Sequence, residues 1–225
     1  MRNSTMARMP RLVVPGYPHH VTQRGNRRMK TFFCSEDYRA YLELLAEAKA
    51  EAGAAVWAYC LMPNHVHLVV VPEQKDSLAR LFRCVHRHYS RRINFREQWR
   101  GHLWQERFHS FVMDERYLLA TVRYTELNPV RARLSVNPGD WPWSSARAHF
   151  EGRDNAVVSV QPMLERVADW GRYLSEAASD EESDIIRRCA STGRPAGDEL
   201  FVQQLEGLTG RELKKRKPGR ERKNR

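Results

Sequence analysis

Two histidines one residue apart, His65 and His67 in "NHVHLVV", are the residues of this 225-residue chain best placed to do chemistry. On a strand they point to one face, while Val66 and Leu68 alternate to the other. Two such imidazoles can approach a single metal ion at about 2.0–2.2 Å. They can equally form a polar pair on an exposed sheet face. Two ligands are too few for a stable site, so a third is expected from another element. "YTELN" offers one: Tyr124 and Asn128 stand four apart, on one face of a helix. Asn128 can give an amide oxygen. Two imidazoles and a neutral amide leave the ion's charge unneutralised and its other positions open. That suits Mg²⁺ or Mn²⁺ gripping a phosphate oxygen, with the imidazoles favouring Mn²⁺. Beside such a site Tyr124 can be a nucleophile. Its hydroxyl, with an ordinary pKa of about 10, is helped by a polarised phosphate and by nearby cations. The alternative is a core tyrosine with its hydroxyl at the rim.

These residues need elements to hold them. "HHVTQRG" (19–25) reads as a strand ending at Gly25-Asn26. Residues 35–53 read as a helix with Ser35 as cap and Gly53 as stop. Residues 54–62 and 65–71 read as two strands around Pro63-Asn64. A second helix is expected from Asp76 to Ile93, short extended pieces within 102–113, and a third helix from an Asp114 cap to about Asn128, where Pro129 perturbs or ends it. The order predicts an α+β fold, a ferredoxin-like split βαβ with an antiparallel sheet and helices on one face. Residues 1–16 read as a loose N-terminal arm and 17–134 as the main domain. Residues 135–210 read as a C-terminal extension whose tryptophans need cover on the core. The last segment, 211–225, reads as a disordered tail with nine Lys or Arg against two Glu.

Charge narrows the partner. The chain carries 38 Lys and Arg against 27 Asp and Glu, a net +11, which favours a polyanion and first of all nucleic acid. No apolar run reaches spanning length, and the N-terminus has no apolar core of a signal peptide, so no membrane role and a cytoplasmic location are expected. Four scattered cysteines without a CxxC pair read as reduced thiols and argue against a zinc finger. Arg80, Arg83, Arg87 and Arg91 make one helical stripe, either a solvated face or a phosphate-tracking one. Trp99, Trp104 and Phe108 are stacking partners for unpaired bases or ordinary core aromatics. His102 and His109 lie near the last strand without a clear role.

Taken jointly, "YCLMPNHVHLVV", "LWQERFHSFVM", "RYTELNPVRARL", "WPWSSARAH" and "TGRPAG" resemble the REP-associated tyrosine transposases of the single-tyrosine HUH superfamily, over about residues 11–217. The resemblance implies that His65 and His67 are metal ligands and Tyr124 the nucleophile. It puts Asn128 at the third polar metal contact, where related insertion-sequence transposases often have Gln. It implies cutting of single-stranded DNA near a palindromic-repeat hairpin, a 5′-phosphotyrosine, a released 3′-hydroxyl, and rejoining with no nucleotide cofactor. It also places Arg11 and the "QRGNRR" turn, with Arg24, Arg27 and Arg28, near the hairpin and its guide nucleotides. Three other readings stand beside it: an inactive hairpin-binding regulator, a metal nuclease using water, and a structural RNA-binding protein. Relatives among the insertion-sequence transposases dimerise with the tyrosine in trans. The long extension here favours a monomer working in cis.

Overall fold

A computed structural model describes residues 11–176 and 179–214. Its sheet is built from β1 (His19–Arg24), β2 (Ala54–Met62), β3 (His65–Pro72) and β4 (His109–Val112). The spatial order is β2-β3-β1-β4 with antiparallel pairing throughout. That is the order a split βαβ requires, so the expected α+β class holds. The helices are α1 (Ser35–Glu51), α2 (Ser77–Arg96), α3 (Glu115–Glu126), α4 (Asn128–Arg131), α5 (Ala146–Glu151), α6 (Gln161–Leu164), α7 (Trp170–Ser175), α8 (Asp180–Thr192) and α9 (Glu199–Thr209).

Strand alternation divides the core in two. Val66, Leu68 and Val70 pack with Leu45, Leu78, Leu81, Phe82 and Val85 of α1 and α2. Ala58, Val69 and Phe111 pack with Leu118 and Val122 of α3 and with Ile186 and Cys189 of α8. Helices therefore cover both faces. The expected placement on one face holds for α1 and α2, while α3 lies on the opposite face, the one that carries His67. The sequence pattern marks β3 as apolar on both sides but does not say which helix takes which side.

Local signals explain most boundaries. Asp114 caps α3 and accepts a hydrogen bond from Tyr117 N at 2.8 Å, as expected. The cap of α1 differs: Cys34 is the N-cap and Ser35 the first helical residue. Asp37 instead accepts from Phe33 N at 2.9 Å, tying the incoming chain to the helix start. Gly25 cannot be replaced where it stands, because an added Cβ would lie 2.3 Å from Met29 O. The turn after it holds Arg27 and Arg28 at φ of 52° and 61°, a left-handed conformation that costs a non-glycine residue about 1 kcal/mol or more.

The extension covers an otherwise open sheet edge. Leu61 N donates to Trp143 O at 2.8 Å, Trp141 Nε1 donates to Leu61 O at 3.0 Å, and Trp143 stacks on Tyr38 at 4.7 Å. The tryptophans thus find the cover they need, and the β2 edge loses its unpaired groups. Two boundaries are corrected. Residues 11–16 are not a loose arm, since Leu12 and Val14 are buried with Phe201, Leu205 and Leu213. Residues 211–214 belong to the same cluster, with Leu213 buried and Lys214 paired to Glu199 at 2.9 Å. The rest of the expected arm, residues 1–10, and of the tail, 215–225, lies outside the described residues. All four cysteines are free. Among the described residues no helix is long and apolar enough to cross a membrane.

Candidate active site

His65 and His67 share the α3 face of β3, their ring centroids 4.9 Å apart. Tyr124, in the last turn of α3, brings its ring centroid 5.7 Å from that of His67. All three line one cavity of about 470 Å³, together with Arg24, Arg28 and Arg187. The structure therefore joins, within one chain, the three residues whose types suggested chemistry. Asn128 is not brought with them. Its amide nitrogen donates to Tyr124 O at 2.9 Å, closing the break between α3 and α4, and it does not line the cavity.

The two imidazoles are already oriented. His65 Nδ1 lies 2.6 Å from Asn64 Oδ1, and His67 Nδ1 lies 3.0 Å from His20 Nε2. In each ring one nitrogen is engaged by a neighbour, which leaves Nε2 as the donor that can face an ion. Burial, then Arg24, pushes His65 down to about 4. Burial, then His65 and His20, puts His67 well below its ordinary value. Both are neutral at pH 7, the state a metal ligand needs. Among the described residues no group of three or more His, Cys, Asp or Glu could hold a metal. Two neutral imidazoles do not make a closed structural site, and an ion held by them would take its remaining ligands from substrate and water.

The same burial has a consequence for stability. His19 is pushed down to about 4, and His20 and His86 to about 3, chiefly by desolvation. Between an ordinary value of about 6.5 and these lower ones, the unfolded chain binds protons that the folded chain refuses. Stability therefore falls with falling pH across that window, by about 1.4 kcal/mol per pH unit for each such histidine. With metal absent, circular dichroism is expected to show cooperative unfolding between pH 6.5 and 4. A signal unchanged to pH 4 would contradict the buried neutral histidines.

Cations surround the tyrosine. The Arg131 guanidinium sits 4.6 Å from the centre of its ring. Arg187 lines the same cavity and pairs with Asp184 at 2.8 Å, and the nearby Tyr124 is the main cause that raises it above its ordinary value. Arg187 belongs to α8, so the extension supplies part of the site. Replacing it by Ala removes a largely exposed cation from beside Tyr124. The single-turnover strand-cleavage rate is expected to fall about tenfold, with partial recovery in Arg187→Lys. Equal rates in wild type and Arg187→Ala would remove Arg187 from the site.

Beneath Tyr124 lies a buried carboxylate. Glu126 is fully buried at the end of α3. Its Oε1 accepts from Ser145 Oγ at 2.5 Å and pairs with His149 Nδ1 at 2.7 Å. Its Oε2 accepts from Trp170 Nε1 at 2.9 Å. One side chain therefore fastens α5 and α7 of the extension to the helix that carries Tyr124.

The arginines expected to bind DNA divide. Arg24 and Arg28 line the active-site cavity, and Arg27 is exposed in the strained turn beside it. Arg83 and Arg87 line a second cavity between α2 and residues 101–108. Arg91 flanks Trp99 in a shallow pocket. Arg80 is held in the fold, donating to Ala52 O at 3.0 Å and pairing with Asp76 at 3.4 Å. Arg11 donates to Phe108 O at 2.6 Å and stacks over the Phe108 ring at 3.6 Å. Trp104 and Phe108 are core aromatics, 7% and 6% exposed, whereas Trp99 remains 41% exposed. His109 lines the active-site cavity, and His102 does not.

Comparison with known proteins decides the family. The family model described as "Transposase IS200 like" matches residues 14–128, just over half the chain and the whole span from β1 to Asn128. The chain belongs to the IS200-like transposases. A solved REP-associated tyrosine transposase bound to a REP hairpin is similar to it at 21% identity and a TM-score of 0.56, over 68% of this chain and 92% of that one. At that identity the likeness shows a shared fold. A protein of Deinococcus radiodurans R1 assigned as a transposase is similar at 18% identity and a TM-score of 0.38, over 56% of this chain and 91% of that one. No curated protein matches by sequence. The chain is thus a transposase, an enzyme that processes DNA. Two residues of the candidate site escaped sequence reasoning. His20 needed the β1–β3 register, in which Thr22 faces His67, to be placed beside His67. Arg187 needed the packing of α8, and nothing near it in the sequence marks it.

Proposed function

We propose that this transposase cuts and rejoins single-stranded DNA beside a palindromic-repeat hairpin, through a covalent 5′-phosphotyrosine on Tyr124, with Mg²⁺ or Mn²⁺ held by His65 and His67. The observation that carries the proposal is the approach of Tyr124 to the paired histidines in one arginine-lined cavity. The hairpin is favoured because a protein of the same fold is bound to one. The bound ion would supply Lewis-acid polarisation of the scissile phosphate.

The chain's own residues do the rest. Arg24 and Arg28 draw the phosphate into the cavity and offset its charge. The Tyr124 hydroxyl oxygen attacks phosphorus as its proton leaves to solvent. The bond from phosphorus to the 3′ oxygen breaks, and that oxygen departs as a 3′-hydroxyl after taking up a proton. Arg187, which lines the same cavity, offsets the charge that develops on the tyrosine oxygen during attack and again when it leaves. Attack by a 3′-hydroxyl on the phosphotyrosine reverses the step and rejoins a strand, without a nucleotide cofactor. Asn128 supports Tyr124 through the backbone of α3. Because one chain supplies both histidines and the tyrosine, the proposal includes a monomer acting in cis.

The test compares a strand containing the source genome's palindromic repeat with the same strand scrambled so that it cannot fold. Wild-type protein with Mn²⁺ is expected to cut only the first, leaving a 3′-hydroxyl. His65→Ala and His67→Ala are expected to lose cutting and, by isothermal titration, the heat of Mn²⁺ binding. Equal cutting of both strands would refute the hairpin, and unchanged Mn²⁺ binding in both variants would refute the metal site.

A further inference from the structure

Asn64 closes the tight connection between β2 and β3, and its side chain makes two hydrogen bonds in opposite directions. Nδ2 donates to Arg28 O at 2.9 Å, and Oδ1 lies 2.6 Å from His65 Nδ1. The first bond decides the second. A backbone carbonyl only accepts, so the amide turns its NH₂ end to Arg28 and its oxygen to His65. That oxygen has no proton to give. His65 therefore carries its proton on Nδ1 and keeps Nε2 as a bare lone pair, the form a metal ligand needs. His67 differs. Its partner, His20 Nε2, belongs to another imidazole that can donate or accept, so this contact fixes no tautomer. Of the two ligands, His65 is the one whose proton is placed by the fold, and the amide that places it takes its own orientation from the backbone of Arg28.

Arg28 sits in a strained turn. Arg27 and Arg28 stand at φ of 52° and 61°, with exposed side chains. The two ends of their turn are fastened to the same β2–β3 connection. Gly25 N donates to Asn64 O at 2.8 Å, and Thr31 N donates to Pro63 O at 2.9 Å. Between those ends the arginine peptides are held by two turn bonds, Arg28 N to Gly25 O and Met29 N to Asn26 O, each 3.0 Å, and by the Asn64 amide. A left-handed conformation at two successive arginines persists only while its surroundings over-determine it. The Asn64 amide is thus at once part of what holds the turn and the group that sets His65.

We propose that Asn64 couples the metal site to the Arg27–Arg28 turn. An ion on His65 fixes the Asn64 amide and through it the Arg28 peptide, and a backbone phosphate held by the arginines of the turn favours the same arrangement and tightens the ion. Asn64 is a positioning residue, acting through His65. The inference rests on the metal-dependent strand-cleavage reading above. Its consequence is that the ion is held more tightly once a strand is seated at the turn. Coupling of this kind is reciprocal, so the effect of the ion on the turn can be read with no DNA present.

The experiment uses Mg²⁺ alone and nuclear magnetic resonance on the full chain. In metal-free wild type, the histidine nitrogen shifts are expected to show His65 protonated on Nδ1. Saturating Mg²⁺ is expected to slow amide exchange of Arg28 and Met29 about fivefold. Asn64→Ala removes both hydrogen bonds. Its Mg²⁺ affinity is expected to fall about tenfold, with His65 populating both tautomers. Asn64→Asp keeps an oxygen that accepts from His65 and deletes the NH₂ that reaches Arg28. It is expected to keep the Nδ1 tautomer and to bind Mg²⁺ no more weakly than wild type, while the slowing at Arg28 and Met29 disappears. A merely structural Asn64 predicts parallel losses in the two variants, and that result would overturn the coupling. So would a wild-type His65 protonated on Nε2, or turn amides that do not respond when Mg²⁺ binds. Each of these leaves strand cleavage standing. Failure of wild type to bind either Mg²⁺ or Mn²⁺ would overturn both.

Discussion

Tyr124→Phe is expected to bind the hairpin strand within about threefold of wild type and to cut it at least about 10³-fold more slowly. The substitution keeps the ring that packs against His67 and under Arg131. It deletes one hydroxyl beside the half-exposed Arg187, a surface interaction worth little to affinity. What it removes from the reaction is the nucleophile itself, and loss of a nucleophile costs orders of magnitude because no remaining group replaces the bond it forms. Single-turnover cleavage and filter binding on the same strand separate the two effects. Parallel losses in both would assign Tyr124 to binding, and unimpaired cutting would mean that water or another residue attacks.

Glu126→Ala is expected to destabilise the fold by about 3–5 kcal/mol, a large part of the roughly 5–15 kcal/mol that holds a domain of this kind together. The carboxylate is fully buried, and three donors converge on it from α5, its N-cap Ser145 and α7. Alanine leaves Ser145, His149 and Trp170 without their shared acceptor in a site that water does not reach. His149 Nε2 already has no partner, so the ring has nothing else to hold. Glu126→Gln keeps the volume and one acceptor and is expected to lose less. Urea melts of the three proteins test this order. Because Glu126 stands two residues from Tyr124, the same variants are expected to lose cleavage before they lose the sheet. A Glu126→Ala protein as stable as wild type would show that the network contributes nothing net.

What could be read from the sequence follows the range over which each signal acts. His65 and His67 sharing a face, with Val66 and Leu68 opposed, follows from the two-residue strand period and needs no tertiary information. Tyr124 on a helix started by Asp114 follows from spacing and a cap. The sheet order follows from the sequence of elements. The misses involve contacts made across the fold. His20 reaches His67 only through strand register, and Arg187 reaches Tyr124 only through the docking of α8. Asn128 has the spacing of a ligand, but the break between α3 and α4 leaves its amide a nearer acceptor in Tyr124 O. Arg80 joins the phosphate-tracking stripe because charge and spacing are visible in a sequence, and Arg11 is placed near the hairpin by resemblance, while the carbonyls of Ala52 and Phe108 that they bond are not visible there. Trp104 and Phe108 looked available for stacking because aromatic type does not reveal burial.

The central claim is the bond between Tyr124 and DNA, and the most direct measurement identifies it. A hairpin strand labelled on the 3′ side of the cut is incubated with wild-type protein and Mn²⁺. The protein is then denatured, digested and examined by mass spectrometry. The expected result is a peptide containing Tyr124 joined to the labelled strand through a 5′-phosphate. Label on another residue, or a free 5′-phosphate with every tyrosine unmodified, would contradict it.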